Sequence, residues 1–247
     1  MQRREFYSDQ LKNTNVKRIM KFLWMTTVLI CPAIMLRAQD ASELVKKVKT
    51  KLETVSTYEA SGMMKTAVSF IKVPDSKITV YFKKPGKFRI KKENGISIMP
   101  KSTAGLNPST MLSGDNYTAV ATGKTKLGDK PVSIVKLLPL DEKSEVVVST
   151  LYIDEKDALI RKAVTTTRSG GTYEIEMSYG KFASFGLPDK IVFLFNTKDY
   201  KLPKGITLDY DTGEKPAAAS DKDQKGRVEI TYTNYIVNKG IPDNIFQ

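Results

Sequence analysis

Histidine is missing from the 247-residue sequence, and cysteine and tryptophan each occur once. Without histidine the chain cannot form a Ser-His-Asp or Cys-His nucleophile system, a histidine metal site or a histidine pH switch. The single cysteine excludes a disulfide framework and thiolate metal clusters. What remains is carboxylate, lysine or tyrosine chemistry, or a function without catalysis.

The composition is that of a globular protein. Hydrophobic residues make up 40% and charged residues 27%, and the mean hydropathy is -0.30. These values differ from those of disordered or multi-span membrane proteins. The length predicts one or two domains, and all-β domains of this size are commonly single.

Residues 1–38 are interpreted as an N-terminal extension followed by a cleaved signal peptide. A basic segment is formed by Lys17, Arg18 and Lys21. The apolar run 22–35 follows, and Ala38 precedes a plausible cleavage site. This run is shorter than the roughly 20 residues of a membrane span. We therefore predict export, with an uncleaved membrane anchor as the alternative.

Two further features of this segment bear on processing. Residues 1–19 are polar and unusual ahead of a leader, so both Met1 and Met20 are candidate start sites. Cys31 is not interpreted as a lipidation site, because Ile30 stands where a small residue is required. Cleavage after Ala38 removes seven basic and two acidic residues, which lowers the net charge from +13 to +8. The mature chain then lacks cysteine, which suits an oxidising compartment.

An amphipathic helix is predicted at the start of the mature chain. Asp40 is a candidate N-cap, with Glu43 as its capping-box partner. Apolar residues recur at helical spacing at Leu44, Val45, Val48, Leu52 and Val55. Lysines crowd the opposite face. The pattern fits either a helix that packs on a core or a helix that plugs or covers a cavity.

The period then changes from 3.6 to 2 residues, which predicts strands. Alternation runs through 58–70, 78–83 and 88–90, and Asn94-Gly95 marks a hairpin turn before Ile96. Further strands are predicted near 116–121, 132–138, 145–153, 158–167, 172–179, 190–196, 206–210 and 227–237. Ten or eleven antiparallel strands with short links indicate one mainly β (α+β) domain over 39–247, built as a strongly curved sheet or a barrel.

No catalytic or metal site is predicted. The acidic pairs lie in turns or loops, where they cannot face each other across a cleft as glycosidase carboxylates do. The turn 154–157 lacks the ligand pattern of a calcium loop. Gly123-Lys124-Thr125 lacks the upstream glycine of a phosphate-binding loop. We expect no enzyme activity and no cofactor; a hydrolase with unrecognised carboxylates is the remaining enzymatic alternative.

The basic charge does not indicate nucleic-acid binding. The lysines are spread over the helix, strands and turns, and no arginine-rich patch is present. Attraction to anionic surfaces, such as phospholipid headgroups or acidic proteins, is the better interpretation.

Several segments resemble one known family. The helix and its exit contain Leu44, Leu52, Val55, Ser56, Tyr58 and Ala60. The strand-turn-strand segment 80–90 reads VYFKKPGKFRI, and Leu137-Leu138-Pro139, 151–154 and 159–162 follow. Over roughly 40–200 this pattern resembles the periplasmic outer-membrane lipoprotein carrier family (LolA-like proteins). Two positions depart from it: Lys84 stands in place of an arginine, and Ile90 in place of a tryptophan.

The resemblance implies a half-open, strongly curved antiparallel barrel, with a helix and lid segment covering an apolar cavity. Period-two alternation shows which residues share a face but not which face points inward. We predict that the cavity is lined by Met64, Val68, Phe70, Ile78, Val80, Phe82, Phe88 and Ile90. Lys84 is the predicted lid contact. The methionines are either flexible lining residues or ordinary core residues.

The implied function is a periplasmic carrier or chaperone that shields the acyl chains of lipoproteins, or other lipids, for transfer to the outer membrane. The alternative is a LolA-like sensor or envelope scaffold that binds such a ligand without transporting it. The expected partners are lipoprotein acyl chains or lipid and transient membrane-protein donors and acceptors, without nucleic acid. We expect a monomer.

Overall fold

The computed structural model of the chain describes residues 41–68, 71–93, 107–112, 116–196 and 225–246. The predicted leader, Phe70, the Asn94-Gly95 turn and the predicted strand 206–210 lie outside these residues. Helix α1 covers 41–53 and is followed by eleven strands and a short helix α2. The strands are β1 Thr57–Val68, β2 Ile71–Lys72, β3 Ser76–Lys83, β4 Lys87–Lys92, β5 Tyr117–Leu127, β6 Lys130–Pro139, β7 Val146–Asp154, β8 Leu159–Thr167, β9 Gly171–Ser178, β10 Lys190–Asn196 and β11 Lys225–Val237. Helix α2 is Pro108–Met111, and single 3-10 turns occupy Ala183–Phe185 and Asp243–Phe246.

All described strands belong to one antiparallel sheet. Its order is β4-β3-β1-β11-β10-β9-β8-β7-β6-β5, with β2 paired to β1. Strands β5 to β11 are a simple meander, and β1 then pairs with β11 over ten residue pairs. Strands β4 and β5 are the two edges of this order, so the sheet is not closed. The predicted mainly β fold with one N-terminal helix and an unclosed curved sheet is confirmed.

The sheet curves around the C-terminal end of α1. The Lys51 ammonium donates a hydrogen bond to the Asp157 carbonyl in the β7–β8 turn. The Lys84 ammonium, in the β3–β4 turn, donates to the Glu53 carbonyl at 2.6 Å. Strands β3 and β8 are five strand positions apart, which is about 24 Å in a flat sheet. The C-terminal end of α1 contacts both the β7–β8 and the β3–β4 connections only because the sheet is strongly bent.

A single apolar cluster fills the space between α1 and the sheet. Helix residues Val45, Val48 and Leu52 belong to it together with residues of all the long strands from β1 to β11 except β4. We call the sheet face that carries these strand residues the inner face. Its burial follows from the alternation: Ile78, Val80 and Phe82 are at most 3% exposed, whereas their neighbours point outward.

The C-terminal residues cover edge strand β4. Lys83 and Lys87 both donate to the Asp243 carboxylate, at 2.8 and 3.0 Å. Arg89 donates from Nη1 to the Ile245 carbonyl at 2.7 Å. An exposed strand edge is a template for unwanted pairing, so this segment protects β4.

Gly62 is required where β1 and β11 approach closely. It lies at a register shift in their pairing, and a Cβ atom there would come within 2.5 Å of the Thr231 carbonyl oxygen. Because that contact is to backbone, the strands would have to shift.

We expect Gly62→Ala to lower the free energy of unfolding by about 1–3 kcal/mol, measured by urea denaturation. Gly86→Ala is the matched control, since a Cβ there meets nothing within 4 Å. Equal losses in the two variants would contradict this account of the bulge.

Among the described residues, which leave out the predicted leader, we find no helix that is both long and apolar enough to cross a membrane.

Candidate functional site

Seven of the eight predicted lining residues lie on the inner face or against it. Five belong to the buried cluster under α1: Met64, Val68, Ile78, Val80 and Phe82. Phe88 and Ile90 are half-buried and pack against that cluster. Phe70 lies outside the described residues. Whether any of them contacts lipid stays a prediction.

The inner face extends well beyond the strands that sequence reasoning selected. Strands β6 to β11 contribute one cross-strand row at the same level, in which each residue is the register partner of the next. This apolar row consists of Val135, Leu151, Ala163, Ile175, Phe193 and Val228, all at most 4% exposed. The alternation of inward-facing and outward-facing residues in these strands is the sequence signal that could have predicted the row.

A cluster of packed aromatic rings lies at the end of the sheet where α1 ends, and we call this cluster the aromatic floor. Tyr58 stacks on Phe82 with ring centroids 5.3 Å apart and meets Tyr235 edge-on at 5.5 Å. Phe182 and Tyr232 lie 4.9 and 5.0 Å from Tyr235. Burial raises the pKa of the Tyr58 phenol well above its usual range. These phenols therefore stay neutral and act as apolar surface with a hydrogen-bonding tip.

Three side chains fix the C-terminal end of α1. Lys51 on the helix donates to the β7–β8 turn, and Lys84 in the β3–β4 turn donates to the helix. Asn238, in the left-handed region at φ 58°, accepts from the Ser56 amide at 2.7 Å and donates to the Thr54 carbonyl at 2.9 Å. The bond from Lys84 satisfies one of the carbonyl groups that a helix end leaves without an intrahelical partner. The residue predicted as a lid contact thus touches the helix.

We expect Lys84→Met to speed amide hydrogen exchange over the last turn of α1, because one charge-assisted bond is lost. That bond is worth about 1 kcal/mol at an exposed position, or roughly a fivefold faster local opening. Lys84→Arg should restore slow exchange, and the exposed Lys143→Met should change nothing there. Unchanged exchange in Lys84→Met would show that the contact does not hold the helix.

A buried ion pair organises the β7–β8 turn, beside the same helix end. Arg161 donates to Asp154 Oδ2 from Nε at 3.2 Å and from Nη2 at 2.8 Å. Its guanidinium group lies 5.3 Å from the ring centroid of Tyr179. Burial raises the pKa of the Asp154 carboxyl. The hydrogen bonds and charge of Arg161, together with the hydrogen bond from the Asp157 amide and the charge of Lys130, outweigh burial and leave the pKa lowered. The carboxylate stays ionised and positions the turn that receives Lys51.

Among the described residues there is no group of three or more histidine, cysteine, aspartate or glutamate side chains able to hold a metal ion. Glu155 accepts a hydrogen bond from the Ser133 hydroxyl and forms an ion pair with Lys124 at 2.7 Å. Its pKa is lowered mainly by the hydrogen bond from Lys124, which makes it a poor general acid.

A cavity of about 440 Å³ opens at the surface beside edge strand β4. Lys87, Phe88, Asp243 and Phe246 line it. Phe88 therefore contacts both this cavity and the buried cluster. The C-terminal segment forms the outer wall.

The described residues form a single unclosed antiparallel sheet, bent around one helix that covers its apolar inner face. No family model and no curated protein sequence matches the chain. Solved structures do share its fold. A LolA superfamily protein from Nitrosomonas europaea superposes with a TM-score of 0.54 at 10% identity, over 84% of this chain and 97% of that one.

Two further structures give the same result. A DUF1329 family protein from Desulfovibrio piger has a TM-score of 0.53 at 11% identity. A putative outer membrane lipoprotein-sorting protein domain from Vibrio parahaemolyticus has a TM-score of 0.50 at 12% identity. Each alignment covers 85% of this chain and 97% of the other. The predicted LolA-like resemblance is confirmed at the level of the fold.

Proposed function

We propose that the mature chain, residues 39–247, is a periplasmic carrier that shields the acyl chains of lipoproteins or other lipids on its inner face during transfer to the outer membrane. The observation that carries the proposal is the inner face itself. Six adjacent strands present an unbroken apolar row there, and one helix covers it.

An acyl chain that is exposed to water carries a large free-energy cost. Each methylene group left in water costs about 0.8 kcal/mol, so one chain of about 14 carbons costs on the order of 10 kcal/mol. A carrier offsets that cost with apolar surface that becomes available when a cover moves. Helix α1 is suited to that role, because three polar side chains hold its C-terminal end and polar contacts reform easily in water.

The net positive charge supports the proposed transfer of lipid between membranes. After removal of the predicted leader the charge remains at +8 by residue count. A positive protein is drawn to anionic lipid headgroups, which raises its encounter rate at low ionic strength. We also propose that the protein forms transient contacts with a donor protein in one membrane and an acceptor protein in the other.

Uptake of a fluorescent fatty acid by the delipidated protein tests binding. We expect saturable uptake of about one probe per protein and co-purification of lipid from periplasmic extracts. A protein that takes up no probe and carries no lipid would refute the proposal.

Transport is tested separately from binding. A lipoprotein loaded in membrane vesicles should move into the soluble fraction in complex with the protein. Binding without such release would leave a sensor or scaffold as the function and exclude the carrier.

A further inference from the structure

The inner face is not apolar throughout. Next to the apolar row, toward the ends of the same six strands, a second row has three hydroxyl-bearing residues at its centre. Pairing register places its members side by side. We call this the hydroxyl row: Leu137, Ser149, Thr165, Tyr173, Phe195 and Gly226.

The three central side chains are neighbours in the row. The hydroxyls of Ser149 and Thr165 lie 2.9 Å apart, and Tyr173 is the register partner of Thr165. One bond between Ser149 and Thr165 uses only one of their two O–H protons. The other O–H proton of this pair can be donated to an acceptor from outside it.

The two rows differ in exposure at two positions. Ser149 and Tyr173 are half-buried, whereas Thr165 between them and every member of the apolar row are at most 4% exposed. The hydroxyl row thus lies on the more accessible side of the apolar row. A ligand that enters there meets hydroxyl groups first and apolar side chains beyond them.

The aromatic residues give this entrance a defined shape. The rings of Tyr173, Phe193 and Phe195 form a chain with centroids 5.3 Å apart at each step. Phe195 has room because its neighbour in the row is Gly226, where a Cβ atom would collide with the Phe195 ring. An apolar chain can pass along these rings toward the apolar row.

The geometry points to a headgroup subsite: the hydroxyl row binds the ester or amide carbonyl at the head of an acyl chain, while the chain lies along the apolar row. This inference rests on the proposed function and specifies the part of the lipid that the site recognises. A neutral carbonyl fits better than a carboxylate, because all six members of the row are uncharged and a buried anion requires a cationic partner.

Two probes separate the headgroup from the chain. Binding of monopalmitoylglycerol, which has an ester carbonyl, is compared with binding of hexadecane, which has none. Thr165→Val removes the central hydroxyl and keeps the branched shape, and we expect it to weaken monopalmitoylglycerol binding by roughly threefold to tenfold. Hexadecane binding should not change.

A matched control exists on the opposite face of the same strand. Thr166 and Thr172 form a hydroxyl pair with the same 2.9 Å separation, exposed to solvent. Thr166→Val removes the same chemistry outside the inner face and should leave both probes unaffected. Tyr173→Phe, which deletes only one oxygen atom, repeats the test should Thr165→Val fold poorly.

The outcomes are distinct. Equal binding of monopalmitoylglycerol by Thr165→Val, Tyr173→Phe and the unmodified protein would overturn the headgroup subsite and leave lipid binding intact. A parallel loss of hexadecane binding would overturn it as well, since the effect would then concern the apolar chain. If the unmodified protein binds neither probe, the proposed function and the subsite both fail.

Discussion

Replacing Arg161 by methionine is expected to lower the free energy of unfolding by about 3–5 kcal/mol. Asp154 is only 3% exposed, and Arg161 supplies its two charged hydrogen bonds. Without them a buried carboxylate has lost its counter-charge. Urea denaturation at neutral pH measures the loss.

The same variant should weaken the pH dependence of stability. In the unmodified protein the pKa of Asp154 is lowered, so its stabilising contribution is present above about pH 4 and is lost as the pH falls through the folded-state pKa. In Arg161→Met, burial is opposed only by the hydrogen bond from the Asp157 amide and the charge of Lys130, so the pKa of Asp154 should rise. The stability that this carboxylate adds above about pH 4 should then be smaller than in the unmodified protein.

Arg227→Met is the control for this pair. Arg227 also contacts a carboxylate, that of Glu229 at 3.0 Å, but its side chain is 46% exposed. Exposed pairs contribute about 0–1 kcal/mol. Comparable losses in the two variants, or an unchanged pH profile in Arg161→Met, would contradict the assignment of Asp154 as a buried paired carboxylate.

The second large effect is expected at Phe82. This ring is 1% exposed, stacks on Tyr58 and belongs to the aromatic floor. Phe82→Ala removes the ring and leaves a cavity, which costs about 3–5 kcal/mol in a rigid core. Thermal and urea unfolding both measure this loss.

Tyr81→Ala provides the comparison on the opposite face of β3. Tyr81 is half-buried and contacts Lys91 at 5.3 Å from its ring centroid. Its truncation should cost about 1 kcal/mol or less. A larger loss at Tyr81 than at Phe82 would mean that the inner and outer faces have been exchanged.

Added lipid should rescue Phe82→Ala if the inner face binds acyl chains. A ligand that binds only the folded state stabilises it in proportion to the logarithm of its concentration over its dissociation constant. The rise in midpoint temperature with monopalmitoylglycerol should therefore be at least as large in Phe82→Ala as in the unmodified protein.

Much of the fold follows from periodicity in the sequence. Helix α1 was predictable because Val45, Val48 and Leu52 repeat at helical spacing. The strand pairs followed from alternation and from short turns such as 154–157. Strong curvature followed from the number of strands and their short links. Which turns the bent sheet brings to the end of α1 was not predictable, because this depends on contacts distant in sequence, such as Lys51 with Asp157 and Lys84 with Glu53.

The candidate site was predictable only in part. Alternation placed Ile78, Val80 and Phe82 on one face, and the structure shows that this face is the inner one. The hydroxyl row could not be read from the sequence, because Ser149, Thr165 and Tyr173 come from three strands. Only the register between those strands places them side by side.

Photo-crosslinking with a diazirine-labelled acyl probe tests most directly whether the inner face binds lipid. The labelled peptides are located by mass spectrometry. We predict labels on inner-face residues of β3 and β10, such as Val80 and Phe193, and on α1. Labels confined to exposed apolar residues of the outer surface, such as Leu138, Leu140 and Val147, would contradict the proposal.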